Sequence, residues 1–432
     1  MSSASGTSKQ VAKQPAAWTL LSFVYNNASG ALSLMGLVGG VYLLGKFAQS
    51  KLKEYADKMA MDRSAKENLR KRFEQNQHDC SCTISSLLPN LSEPLLSGLN
   101  VEAITQKLQQ SRREGSTPIP GEKNKLELWE DVKLLGFTRT IAAVYIVTLL
   151  TALTHVQLNL LGRFIYLDSV KVLMHKDRKQ SLVDEARPRT GLSIEAERKF
   201  LTFGWYLLNI GWKNCVDRVR KAVDQVIGNV SLKESTTYDS LLAYLDQVRA
   251  QVEYVDGDHT KPFNLVQYLL PPEGEEAETL REGAPPSTVN SYDLRYVVDA
   301  ELKRLLDETR DFLESPDFNL VLGASLDDAF NTLAIQLRSQ FFPPQIPNPS
   351  DKSKLTEVDD ATLLKQLEGE SYSKSVQESK VLPLAGVLPS VSRQAHLIIN
   401  GSPNVYIQVL TRQPALRAFS AIIYTAFEGS EK

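Results

Sequence analysis

Two stretches without a single charged side chain, Gln14–Gly45 and Thr140–Gly162, limit what this 432-residue chain can fold into more than any other feature. Within the first, residues 28–45 (ASGALSLMGLVGGVYLLG) are apolar or small throughout. As a helix, eighteen residues reach about 27 Å, close to the hydrocarbon thickness of a bilayer. Leu32, Leu34, Leu37, Val38, Val41, Leu43 and Leu44 would face lipid, and Gly36 and Gly40 form the GxxxG spacing that membrane helices tolerate. A cleaved signal peptide fits less well, because Asn26 and Asn27 rather than basic residues precede the run. A buried soluble helix is the other reading. The string Gly40–Lys46 also fits GxxxxGK, but Phe47 stands where a phosphate loop needs Ser or Thr, so no nucleotide site is expected.

The flanks give this segment a direction. Lys9 and Lys13 precede it, whereas Lys46, Lys51, Lys53, Lys58, Arg63, Lys66, Arg70, Lys71 and Arg72 follow it closely. Positive charge stays on the cytosolic side, so a single-pass anchor with a cytosolic C-terminal part is expected. The expected division is a short tail at 1–27, an anchor at 28–45 and a cytosolic helical domain at 46–432.

The second run, 140–162, is long enough for another span. His155, Gln157, Asn159 and five Thr or Tyr residues dilute it, and the centre of a large helical domain needs a helix that is apolar nearly all round. The core reading is preferred. The alternative would place the C-terminal half across the membrane.

Elsewhere the pattern is helical: 46–78, 100–111, 124–173, 192–229, 237–255, 292–314, 324–341, 357–370 and 403–428 show 3.6-residue periodicity, and alternating strands are hard to find. The expected class is all-α, a single elongated helical bundle preceded by one N-terminal transmembrane helix. Pro, Gly and charge mark 111–123, 175–190, 271–291 and 343–353 as loop insertions.

Composition excludes several functions. Lys plus Arg number 49 against 51 acidic residues, so no basic field recommends nucleic acid. Three cysteines cannot form a disulfide framework and suit a reducing compartment. His78, Cys80 and Cys82 lie close together without a second half to complete a metal set, so no metal and no cofactor are expected. The pairs Asp327–Asp328 and Asp359–Asp360 read as helix-start acids. No nucleophile elbow or acid pair suggests catalysis, and the chain reads as a non-enzyme. The rival is a membrane-anchored lipid-modifying enzyme using His155; another is a generic organelle tether or inheritance scaffold.

The segment Lys125–Leu135 carries more information. At 100° per residue Lys125, Leu128, Trp129, Val132 and Leu135 share one arc, while Leu126, Leu134 and Phe137 share a roughly opposite one. One arc can face a bundle, and the other then needs a different contact. Trp129, between Lys125 and Lys133, suits an anchor for an amphipathic helix laid in a groove, with the two lysines steering acidic flanks. Spacing alone leaves equally open that Trp129 lies under a neighbouring element.

Several blocks together resemble one family. They are GGVYLLGKFAQSKLKE (39–54), FEQNQHDCSCTISSLLPNL (73–91), NKLELWEDVKLLGFTRTIAAVY (124–145), VQLNLLGRFIYLD (156–168), NVSLK (229–233), DETRDFLESPDF (307–318) and LPLAGVLPSV (382–391). In this order they are similar to the peroxin-3 family of peroxisomal biogenesis factors, as a fungal-type member. The resemblance implies a protein of the peroxisomal membrane, reached directly or through the endoplasmic reticulum, with an all-α cytosolic domain. It implies docking of peroxin-19, loaded with new peroxisomal membrane proteins, through an amphipathic N-terminal helix. The family's groove tryptophan then corresponds to Trp129, with Lys125, Leu128 and Val132 in the same block; Leu126 and Lys133, from the reading of the helix faces, complete the expected partner-binding set. Fungal relatives also tether inheritance or pexophagy factors. Gly386 departs from the basic residue that some relatives carry near the groove.

Overall fold

The computed structural model describes residues 63–113, 123–177, 192–283, 296–342 and 380–426. The expected anchor at 28–45, and the expected helix at 357–370, lie outside these residues. What is described is predominantly α-helical.

Helix α1 (Arg63–Gly98) opens the described chain. The sequence pattern suggests an end near residue 78, yet the helix runs on through Pro89 and Pro94. Cys80, Ile84, Leu88, Leu91, Leu95 and Leu99 explain this: they recur every three or four residues, and all are buried. Burying such a stripe outweighs the roughly 3 kcal/mol that an interior proline costs. After α2 (Val101–Arg113) comes α3 (Lys125–Asp177), a helix of 53 residues around which the others assemble. Helices α1, α2, α5 (Trp212–Ile227), α8 (Ala300–Leu313), α9 (Pro316–Phe341), α10 (Leu384–Asn400), α11 (Val405–Arg412) and α12 (Pro414–Thr425) all touch it. A helix enclosed on every side cannot be amphipathic, which is why 140–162 has no polar face.

That second uncharged run therefore forms the centre of the core. Three of its threonines are satisfied locally: Thr148, Thr151 and Thr154 each donate to the carbonyl four residues back at 2.8 Å. A fragment spanning 46–432 is accordingly expected to stay in solution without detergent, and sedimentation after detergent removal checks this.

Other boundaries moved for local reasons. The expected helix 192–229 is broken into α4 (Ile194–Thr202), a turn Gly204–Tyr206, a π-helical turn Leu207–Gly211 and α5. At Gly211 an added Cβ would lie 1.9 Å from the Tyr268 carbonyl oxygen, so only glycine permits this approach. The expected loop 271–291 contains helix α7 (Glu276–Gly283), which buries Thr279 and Leu280; α6 (Tyr238–Glu253) lies before it in the chain. Helix α9 starts at Pro316, eight residues earlier than its periodicity shows, because Ser315 caps it by accepting from Phe318 N at 3.1 Å. The expected 403–428 helix divides at Pro414, and α10 was not anticipated at all.

Among the described residues, strands are confined to two short antiparallel pairs. One joins β1 (Ser235–Thr236) to β4 (Leu382–Pro383); the other joins β2 (Tyr254–Val255) to β3 (Asp258–Pro262). One continuous cluster of buried side chains runs from Ile84 to Ile423, and a small satellite gathers Leu69, Phe73, Tyr166 and Tyr424 where α1 begins.

Candidate docking site

The first turn of α3 is held by a reciprocal cap. Glu127 N donates to Asn124 Oδ1 at 2.8 Å, and Asn124 N donates back to Glu127 Oε2 at 3.1 Å. Lys123 closes the corner on Asp131 at 2.6 Å. This end of the helix is therefore fixed before any partner arrives.

Of the residues singled out there, Val132 is buried, and Leu128 is half-buried against the core. Lys125 is exposed, and so are Leu126 at 65% and Trp129 at 39%. The expected division into a core arc and a partner arc does not hold along the helix. From Val132 onward both arcs are covered, with Phe137 fully buried and Leu134 and Leu135 packed on the core. The open apolar strip is the seam between the arcs, where Leu126 and Trp129 stand about 60° apart one turn along the helix.

Lys133 is a correction. It is fully buried, and its Nζ donates to Gly228 O at 3.0 Å and Val230 O at 2.7 Å, beside Glu130 Oε2 at 2.5 Å. A lysine enclosed this way cannot steer an approaching partner. It stays buried because its donors meet the carbonyls left unpaired at the end of α5.

Those carbonyls belong to a turn that joins the site to a distant part of the chain. Leu384 N donates to Glu234 O and Ala385 N to Leu232 O, so the 228–234 turn is tied to the entry of α10. Three sequence blocks, 124–145, 229–233 and 382–391, thus meet at one end of α3. Val381, 59% exposed, flanks that entry, and so does exposed Gly386, where an added Cβ would meet nothing nearer than Pro383 Cγ at 3.6 Å. The position has room for a side chain, and here it supplies no charge. Sequence reasoning assigned no role to the turn; the signal available was the NVSLK block itself.

A second feature stiffens the same end. Arg139, fully buried, forks onto Glu102 of α2 at 2.7 and 2.8 Å and also donates to Leu99 O and to Ser392 of α10. Arg139's hydrogen bonds, with His396 adding another, hold the Glu102 carboxyl down at about 2.

The other candidates for chemistry separate. His155 is buried with Nδ1 3.0 Å from Ser420 Oγ. Burial, with Arg417 adding repulsion, lowers its pKa to about 4. The sign follows directly: the unfolded imidazole takes a proton below about 6.5 and the folded one does not. Stability contributed above pH 6.5 is lost as pH falls toward 4, on the order of 3 kcal/mol in all. Urea midpoints from pH 7 to 4.5 should show this slope, and His155→Gln should flatten it. Cys80 is buried and its thiol pushed up to about 12 by desolvation, whereas Cys82 is exposed 3.5 Å from His78 Nε2. Asp327 and Asp328 sit in the middle of α9 rather than at its start. Asp327 pairs with Arg249 at 2.7 Å, and burial lifts Asp328 to about 6.

The comparisons agree with one another. The family model described as Peroxin-3 matches residues 22–120 and 115–426. Peroxisomal biogenesis factor 3 of Mus musculus is 33% identical over 414 residues, covering 95% of this chain and 97% of the mouse protein. The human protein of that name is 31% identical over 411 residues, covering 94% and 96%. The Yarrowia lipolytica one is 29% identical over 456 residues, covering 94% and 99%. These names are those of biogenesis factors, not enzymes.

Proposed function

The chain belongs to the peroxin-3 family of peroxisome biogenesis factors, and from that premise we propose that it is a docking receptor in the peroxisomal membrane for peroxin-19. Peroxin-19 brings newly made membrane proteins, and the receptor holds it at the membrane for their insertion. Residues 28–45 anchor the chain, and the helical domain faces the cytosol.

The observation that carries this reading is the pair Leu126 and Trp129, left open on a capped helix that is buried almost throughout from residue 136 to residue 161. An amphipathic helix placing two or three Leu or Phe anchors there gains roughly 1.5–3 kcal/mol for each one fully buried. Lys125 at the edge attracts acidic flanks, a contribution that speeds encounter more than it tightens the complex. Lys133 has no part in that steering.

The test is binding of a peroxin-19 N-terminal peptide to the full chain in detergent micelles, followed by fluorescence anisotropy. Saturable binding is expected, with Lys125→Ala slowing association several-fold in low salt and little at high salt. A peptide that does not bind the folded chain would remove the docking reading.

A further inference from the structure

The buried lysine at the head of the open strip gives the docking surface, as read above, a second wall. On a helix Leu126, Trp129 and Lys133 lie on one face, and a helical side chain leans back over the turn before it. The contacts confirm that lean. Lys133 Nζ lies at the level of Glu130, 2.5 Å from its carboxylate, and there it grips Gly228 O and Val230 O. The 228–234 turn therefore stands beside Trp129's own turn of α3. Its apolar members Val230 and Leu232 are half-buried, each with part of its surface left open, and exposed Lys233 follows them.

We infer that this turn forms the side wall against which the incoming helix of peroxin-19 packs, and that Lys133 is the positioning residue that sets it. Lys133 does not touch the partner. It fixes how far Val230 and Leu232 stand from Trp129, and hence the width of the slot an amphipathic helix can enter. The occupant is the same helix that Leu126 and Trp129 receive, since wall and strip are continuous. Lys233 on the wall and Lys125 at the strip's start give both edges the sign that suits acidic flanks. Continuity also explains why a lysine is worth burying here: its Nζ hydrogen-bonds the near side of the turn to α3, and the far side hangs on α10 through Glu234 O and Leu232 O.

A double-mutant cycle on the full chain separates positioning from mere support. The probe is the same peroxin-19 N-terminal peptide. Lys133→Met keeps the length and removes the grip, while Val230→Ser with Leu232→Ser removes the wall's apolar face. Each is expected to weaken peptide binding about tenfold, and their combination by no more than the wall change alone, because Lys133 acts only through the wall. Multiplied effects near a hundredfold, or a Lys133→Met chain that melts earlier but binds like wild type, would overturn the inference. Should Lys133→Met not fold, Glu130→Ala takes its place in the cycle, with a loss of about threefold that vanishes on the altered wall. A wild type that ignores the peptide ends the docking reading itself, whereas a wild type that binds while the cycle is additive ends only the role of Lys133.

Discussion

Arg139→Ala is expected to lower the free energy of unfolding by about 3–5 kcal/mol, the largest effect of any single substitution proposed for this protein. The side chain is fully buried and forms a two-pronged bond with Glu102, so alanine leaves both a cavity and a stranded acceptor. Leu99 O keeps Val101 N and Ser392 O lies inside α10, whereas Ser392 Oγ loses its donor, at about 1–3 kcal/mol if it stays shielded from water. Glu102 itself adds little to the loss, because 58% of its side chain already meets solvent. Urea denaturation followed by circular dichroism measures the change. An acid signature accompanies it. Glu102 is held at about 2 against an ordinary 4.5, so the stability it contributes is present above 4.5 and is lost as pH falls toward 2. In Arg139→Ala that slope should shrink to the part His396 supplies. A variant as stable as wild type would show that α2, α3 and α10 are held together without this residue.

Trp129→Ala should produce the opposite profile. At 39% exposure the indole contributes modestly to the fold, and its removal should leave helicity and the urea midpoint nearly unchanged. Binding of the peroxin-19 peptide should nevertheless weaken by at least ~2 kcal/mol, about thirtyfold, because a tryptophan at the centre of a docking strip carries a disproportionate share of the affinity. Calorimetric titration beside a melting curve separates the two quantities. If the variant unfolds, Trp129 belongs to the core and the strip is misplaced; if it binds as wild type, the anchor lies elsewhere.

How much of this was legible beforehand depended on periodicity. Residues 140–162 could be read as a core helix because no face of them was polar, and α3 is enclosed by its neighbours. Helix α10 escaped because Gly386, Pro389 and the polar run Ser392–Gln394 obscure its stripe, although Leu384, Val387, Leu388, Val391, Ala395 and Ile398 recur at helical spacing. Trp129 and Leu126 were legible as residues with an unusual face, but their exposure was not, since it depends on where α10 and the 228–234 turn stop covering α3. Lys133 was misread for the same reason. A lysine beside a tryptophan on a helix looks like surface, and only a carbonyl pair from 95 residues away turns it inward. Tertiary contacts over such separations leave no mark in local spacing.

The enclosure of α3 also sets an order of events during synthesis. Its covering partners arrive very late: Thr140 bonds to Val391 O across 251 residues, His155 to Ser420 across 265, and Arg163 to Ala426 across 263. At 5–20 residues per second a ribosome needs roughly 13–50 s to make the intervening chain. Throughout that interval a 23-residue uncharged helix lies outside the exit tunnel without its lid, and by length it qualifies as a second membrane span. Chains terminated before about residue 380 lack α10, α11 and α12 for good, and should be found embedded in membranes or cleared by quality control rather than folded.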